Sequence, residues 1–421
     1  MNKKTPCRVE ILAIGSELLT PYRTDTNSLY LTEKLNDLGF EVSFKGVVGD
    51  DRKNLGSCFG QALNRADLIL AVGGLGPTSD DITRETLAKV LHRRLILDEN
   101  IVRHIKARFA RRRMAMPAAN IKQAYLIDGA VAIPNRHGTA PGQWLELDGK
   151  RVVLLPGPPH ELKAMFEEWV QPKLKSSRQG FLARCVLKTA GLTESRIESL
   201  IAGLYPKSKN RKMTLLACPG QIEIHLTAFS PVSQREAEKK VIGLKKRVSV
   251  RLGEAIFSEK GEELEEVVAR LLSEKKKTLA IAESSSGGLL SHRLTNVPGS
   301  SAYFLEGVIS YSNDAKVKLL GVSPHLIGKH GAVSSAVCRA MARGIRKRAG
   351  ADFGLAITGI AGPGGGSPAK PVGLVYVGLS SAAGTEVRKN IFLGQREQIK
   401  WQSTQKALDM LRRHLLRRQP G

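Results

Sequence analysis

Ser284 stands in the string Ala282-Glu283-Ser284-Ser285-Ser286-Gly287-Gly288, between an apolar run at 278–281 and the stretch Leu289-Leu290-Ser291-His292-Arg293-Leu294. That order reads as strand, turn and helix. It sets a hydroxyl where the first amides of a helix lack partners and can stabilise negative charge on a substrate oxygen. Serine is a weak nucleophile at neutral pH and needs a base. His292 falls inside the helix, and His325 and His330 fall in a loop punctuated by proline and glycine. The more suggestive partner is Lys316, at the end of Gly307-Val308-Ile309-Ser310-Tyr311-Ser312-Asn313-Asp314-Ala315-Lys316, where a second apolar strand turns into a short helix. Neighbouring parallel strands share one crevice at their C-terminal ends, so the two residues can meet there. A lysine desolvated in that crevice favours its neutral form and accepts a proton, which gives a Ser–Lys amidohydrolase dyad. The plainer reading of the same residues is a helix-capping serine and a solvated helical lysine.

Two glycine-rich loops offer further chemistry. Gly73-Gly74-Leu75-Gly76-Pro77-Thr78-Ser79-Asp80-Asp81 follows a strand at 67–72 and leads into a helix at 82–92. Glycines let backbone amides approach a ligand, and a helix start favours an anion. Asp80 and Asp81 would repel a bare phosphate, so the pairing makes sense if a divalent cation bridges them to it; the alternative is that they cap the helix. The second loop, 359–366, follows a strand at 353–358; its amides, with Lys370, can cradle a phosphate, or the loop is a connection only.

The elements that must hold these residues alternate. Strand 8–15, a helix carrying Leu29, Leu31, Leu35 and Leu38 before Gly39, strand 41–48, helix 52–64 and strand 67–72 form a βαβαβ unit with a parallel sheet. Strand 152–155, the Pro156-Gly157-Pro158-Pro159 turn and helix 162–169 close the first domain. Between about 180 and 255 the pattern becomes a small α+β module, with strands at 185–189 and 221–229 and a helix at 234–248. A helix with Leu264, Val267, Val268, Leu271 and Leu272 on one face opens the last domain, strand 372–379 fills its sheet and a helix from Arg396 to Leu416 closes it. The expected fold is α/β in three domains, 1–172, 180–255 and 258–419.

The chain has 421 residues, 42% hydrophobic and 25% charged, which suits a soluble globular protein. No run approaches a membrane-spanning length. Lys3 and Lys4 precede only a brief apolar stretch containing Glu10, so no signal peptide is expected and the expected location is cytoplasmic. Cys7, Cys58, Cys185, Cys218 and Cys338 are scattered and odd in number, against a disulfide framework or a zinc site. The formal net charge is +26, concentrated at 103–113 and 412–418. Such charge attracts phosphates, but without interleaved aromatics it reads as solvated helix faces rather than a dedicated nucleic-acid surface.

The segments AESSSGGLLSHRLTNVPGSSAYF, GVISYSNDAKVKLLGV, HGAVSSAV and ITGIAGPGGGSPAKPVGLVYVGL resemble the C-terminal domain of the competence/damage-inducible CinA family. The resemblance implies deamidation of nicotinamide mononucleotide (NMN) without a cofactor, with Ser284 as nucleophile and Lys316 as base. It also implies catalytic Tyr311 and substrate contacts from Ser286, Gly287, Asn313, Thr358, Gly359 and Arg396. One departure stands out: the family pattern is Glu-Ser-Cys-Thr-Gly-Gly, and this chain has Ser285 and Ser286 in the middle. The strings AIGSELL, DTNSLYLTEKL, VGDD, GGLGPTSDDITRETLA, NRHGTAPG and LPGPPHEL resemble the family's N-terminal, molybdopterin-binding-like domain. That resemblance implies metal-dependent ADP-ribose pyrophosphatase activity, with Asp80, Asp81 and Glu17 at a magnesium, manganese or cobalt ion. Gly74, Gly76, Asp50, Asn120 and Thr139 would lie near the nucleotide. The middle module resembles the family's KH-like domain without an evident Gly-x-x-Gly clamp, which suggests a spacer. The implied partners are NMN and ADP-ribose, in a homodimer. The competing expectation is an inactive nucleotide-binding or DNA-associated accessory protein.

Overall fold

The computed structural model describes residues 7–176, 180–208 and 210–417. Lys3, Lys4 and Arg418 lie outside the described residues. The chain forms two compact units, one of Met1–Ala183 with Ala228–Lys239, the other of Arg184–Thr227 with Lys240–Gly421.

The first unit begins β1 (Arg8–Ile14), α1 (Thr26–Asp37), β2 (Glu41–Val48), α2 (Arg52–Arg65), β3 (Leu68–Val72) and α3 (Thr83–Val90). Asp25 and Asp51 cap α1 and α2 by accepting from the amides of Ser28 and Asn54. β3 is buried throughout and β1 nearly so, as expected of parallel strands covered on both faces. Val9 and Ile11 enter one core and Leu12 and Ile14 the other. β4 (Leu95–Leu97), α4 (Glu99–Arg111), β5 (Tyr125–Ile127), β6 (Val131–Ile133), β7 (Gly142–Leu147) and β8 (Lys150–Leu155) follow. The main sheet has the order β2-β1-β3-β8-β7-β6, with the first four strands parallel and the last two antiparallel. β4 pairs only with β5. The closing helix starts earlier than expected, as α5 (Pro159–Met165), and passes through a π turn (Phe166–Val170) into α6 (Gln171–Ser176).

The middle module comprises β9 (Phe181–Ala190), α7 (Glu194–Ile201), β10 (Arg211–Cys218), β11 (Gln221–Ser230), α8 (Gln234–Leu252) and β12 (Ile256–Ser258), in sheet order β10-β11-β9-β12. Polar residues in β11 alternate with buried ones, the signature of a sheet covered on one face.

The last domain runs α9 (Leu264–Glu274), β13 (Leu279–Glu283), α10 (Leu289–Thr295), β14 (Phe304–Ile309), α11 (Asn313–Leu320), α12 (Pro324–His330), α13 (Ser335–Ala349), β15 (Phe353–Gly359), β16 (Leu374–Ser381), β17 (Gly384–Ile391) and α14 (Arg396–Leu416). His325 and His330 therefore lie on a helix rather than in a loop; Pro324 sits in its first turn, where a proline is tolerated. The sheet order is β14-β13-β15-β16-β17, with β14, β13 and β15 parallel. The pleat of β13 sends Leu279 and Ile281 into a core with α9 and α14, and Ala280 and Ala282 into the opposite core with α13. This layered arrangement, with the parallel-sheet α/β domain and the small α+β module before it, is the architecture expected. All five cysteines are free. Among the described residues no helix is long and apolar enough to cross a membrane.

Gly344 on α13 packs its bare Cα against the last turn of α11, where a β-carbon would collide with the Leu320 carbonyl. Backbone cannot yield as a side-chain tip can. Gly344→Ala should therefore destabilise the C-terminal domain by about 1–3 kcal/mol, read as a lowered calorimetric transition of the full chain.

Candidate active site

Ser284 follows β13 and Lys316 lies on α11, the helix after β14. The parallel pairing of these strands brings the Lys316 Nζ within 3.2 Å of the Ser284 Oγ. Lys316 is 1% exposed. Its Nζ also lies 2.7 Å from the Ser310 carbonyl and 3.2 Å from the Tyr311 carbonyl, and no carboxylate pairs with it among the described residues. Burial lowers its pKa from the ordinary lysine value of 10.5. Two carbonyls can only accept, and a neutral amine has two N–H groups for them and one lone pair left for the serine hydroxyl.

The turn after Ser284 corrects one expectation. The amides at the start of α10 are not vacant: buried Glu283 accepts from the amides of Gly288 at 3.1 Å, Leu290 at 3.0 Å and Ser291 at 2.8 Å, and from the Ser291 hydroxyl at 2.7 Å. A carboxylate satisfies these orphan donors from within the fold, as in other helix N-terminal caps. The Ser284 amide bonds the Ile357 carbonyl and the Gly287 amide bonds the Ser284 carbonyl, whereas the amides of Ser285 and Ser286 have no backbone partner among the described residues. The Ser285 and Ser286 hydroxyls are buried without partners. Gly287 and Gly288 turn the chain with φ of +62° and +92°, which other residues adopt only with strain.

Tyr311 does not offer its hydroxyl to the dyad. Its carbonyl faces Lys316, while its ring is 63% exposed and its hydroxyl lies 3.4 Å from Arg396 Nη2. Arg396 donates in turn to the Gly362 carbonyl at 2.7 Å, so Tyr311, Arg396 and the second glycine loop form one rim. Asn313 opens α11 and is exposed. Thr358 is buried and donates its hydroxyl to the Ala332 carbonyl at 3.0 Å, and Gly359 has no room for a side chain beside Val375. Lys370 donates to the His330 carbonyl at 2.8 Å, which anchors the loop. The sequence reading missed Lys400, whose amine lies 3.7 Å from the place of a β-carbon on Gly287. One helical turn from Arg396, it shares that residue's face of α14, a spacing visible in the sequence.

A second site occupies the first unit. A cleft of about 760 Å³ opens where β1 and β3 end, at the point where the strand order reverses. Gly73 and Gly74 hold φ of +106° and +64°, and β-carbons there would strike the Ile14 carbonyl and the Thr83 side chain. Neither aspartate caps α3: its N-cap is Ile82, and one oxygen of Asp81 accepts from the Thr78 amide at 2.8 Å and hydroxyl at 2.6 Å. Lys122 braces this turn through the carbonyls of Thr78 and Asp81. Glu17, Asp50, Gly74, Gly76, Asp80, Asp81 and Thr139 all border the cleft. Asn120 does not. It is buried, donating to the side-chain Oε1 of Gln123 at 2.9 Å, and Gln123 reaches the cleft instead. Among the described residues no three His, Cys, Asp or Glu side chains converge as ligands, so Glu17, Asp80 and Asp81 do not form a ready-made triad. Asp80 and the second oxygen of Asp81 still suit magnesium-like binding, in which one or two carboxylates serve and water and substrate oxygens complete the shell.

Fold and sites together define a multidomain α/β protein with an enzyme-like serine–lysine site in one domain and a nucleotide-sized cleft in another. Residues 10–176 match the "Probable molybdopterin binding domain", 184–258 the "Damage-inducible protein CinA KH domain" and 261–415 the "CinA C-terminal domain". The chain belongs to the CinA family. It is 47% identical to a CinA-like protein of Acidobacterium capsulatum, over 97% of this chain and 99% of that one. It is 46% identical to a CinA-like protein of Koribacter versatilis, again over 97% and 99%. A crystal structure of CinA from Thermoplasma acidophilum is 32% identical, covers 40% of this chain and 98% of its own, and has a TM-score of 0.38.

Because folding lowers the Lys316 pKa, the unfolded chain binds the proton more tightly. Stability should therefore rise with pH between that lowered value and 10.5, at up to about 1.4 kcal/mol per pH unit. Lys316→Met should lack this rise, which paired thermal melts across pH will reveal.

Proposed function

We propose that the C-terminal domain hydrolyses the carboxamide of NMN to the carboxylate and ammonia. The observation that carries this reading is the buried, carboxylate-free amine of Lys316 at 3.2 Å from the Ser284 hydroxyl. Neutral Lys316 takes the Ser284 proton as Oγ bonds to the carboxamide carbon. Negative charge then gathers on the carboxamide oxygen. With the α10 amides held by Glu283, the donors left for that oxygen are the amides of Ser285 and Ser286 and the Ser286 hydroxyl. This supports the view that serine in place of threonine at 286 keeps the needed hydroxyl. The Lys316 ammonium returns its proton to the nitrogen as the C–N bond breaks and ammonia leaves. A water molecule, deprotonated by the same amine, cleaves the acyl ester and restores Ser284. Arg396 and Lys400 supply positive charge at the rim for the NMN phosphate.

For the N-terminal domain we propose cleavage of a nucleotide diphosphate of the ADP-ribose type. When bound, a divalent ion held by Asp80 and Asp81 would polarise the diphosphate and acidify a water. The glycine turn brings backbone close to the phosphates, and Gln123 and Thr139 offer polar contacts to the rest of the nucleotide.

Ser284→Ala and Lys316→Ala should each lower kcat/KM for ammonia release from NMN by about 10³-fold or more while remaining folded. Wild-type activity should climb with pH as Lys316 loses its proton and level off above its lowered pKa. A wild type silent toward NMN would overturn the reading. Asp80→Asn should remove metal-stimulated turnover of ADP-ribose and leave ammonia release unchanged; equal loss of both activities would contradict separate sites.

A further inference from the structure

Within the second unit, α7, the end of α8, β17 and the C-terminal half of α14 border a cavity of about 580 Å³ that neither proposed reaction uses. Its wall is unusually basic. Three acidic residues also line it, and they are largely taken up. Asp409 is gripped by Arg412 at 2.7 Å and Arg413 at 2.8 Å, and Glu386 pairs with Arg388. Glu254, with its side chain 85% exposed, approaches Arg413 only at 3.8 Å. After those pairings Arg196, Arg251, Lys406 and Arg417 border the cavity with no carboxylate partner among the described residues. His414, in the same wall, is held below the ordinary histidine value by its burial and then by Arg417, so at neutral pH it is uncharged.

Four uncompensated cations around one concavity repel one another, and a bound anion relieves that repulsion. Leu200, Leu252 and Met410 add an apolar flank. We propose that this cavity is a third ligand site, which binds a mononucleotide with its phosphates among Arg196, Arg251, Lys406 and Arg417 and its base along the apolar flank. The volume lies within the range of small-molecule pockets. A strand of nucleic acid is the poorer fit, because no Phe, Tyr or Trp lines the cavity to stack successive bases. The arrangement also explains the basic run at the chain's end. Arg412 and Arg413 are not a solvated face. They hold Asp409 and donate to the carbonyls of Glu254 and Ala190, fastening α14 to the middle module, and leave the neighbouring cations facing the cavity.

The test is calorimetric titration of the full chain with ADP, with inorganic pyrophosphate and with a short single-stranded oligonucleotide, free of divalent metal, at about 50 mM salt where charges are weakly screened. Wild type is compared with Arg251→Ser/Lys406→Ser and with the charge-reversed Arg251→Glu/Lys406→Glu. Neither side chain has a carboxylate partner to lose, and unchanged melting verifies the fold. Both double variants should lose one ADP-binding event or weaken it at least about tenfold, since charge-assisted bonds to phosphate are lost. Turnover at Ser284 and at Asp80 should stay at wild-type rates, which separates this site from the two proposed above. Superimposable ADP isotherms would overturn the proposal. So would pyrophosphate binding as tightly as ADP, or loss of oligonucleotide binding with ADP binding intact.

Discussion

The serine–lysine site depends on where the Glu283 carboxylate goes. It is the last residue of β13, fully buried, and it accepts from three amides and one hydroxyl of the following turn and helix. A buried carboxyl group is costly unless its oxygens are hydrogen-bonded, and these four donors meet that need. The effect is to clamp the start of α10 back onto the strand, with Gly287 and Gly288 taking the left-handed bends the clamp requires. Ser284 is thereby held in the one position from which it meets an amine arriving from α11.

Much of this was legible in the sequence. The alternation of strand-length runs with helical stretches located β2 to the residue, and the closing helix α14 runs from Arg396 to Leu416 as expected. Ser284 and Lys316 were paired by a rule of parallel sheets, that C-terminal strand ends converge, which needs no knowledge of side-chain packing. What the sequence hid depends on tertiary contacts. Glu283 reads as one more residue of a motif until its acceptor role is seen. Asn120 and Gln123 are chemically alike, and only their packing decides which one faces the cleft. β4, β5 and β6 have three residues each, too few to show a period. Arg412 looks like a solvated cation by composition, yet it is buried against Asp409.

The two proposed chemistries sit in two separate compact units and rely on opposite electrostatics. The cleft at β1 and β3 presents carboxylates and backbone, an arrangement suited to a cation-bridged phosphate. The crevice at β13 and β14 presents a buried amine with no carboxylate paired to it among the described residues, with Arg396 and Lys400 at its rim. The large positive charge of the chain is thus unevenly used: part is structural, as in Arg412, and part lines concave surfaces where phosphate-bearing molecules would be drawn.

The Ser284 amide is fixed by the Ile357 carbonyl, far later in the chain, and β13 lies between the edge strand β14 and the central strand β15 of its sheet. A ribosome making this protein therefore releases the serine long before the strand that immobilises it. Until β15 inserts, the turn lacks the carbonyl that holds the Ser284 amide. The Ser284 turn is thus anchored by topology, and a chain that ends before β15 lacks that anchor.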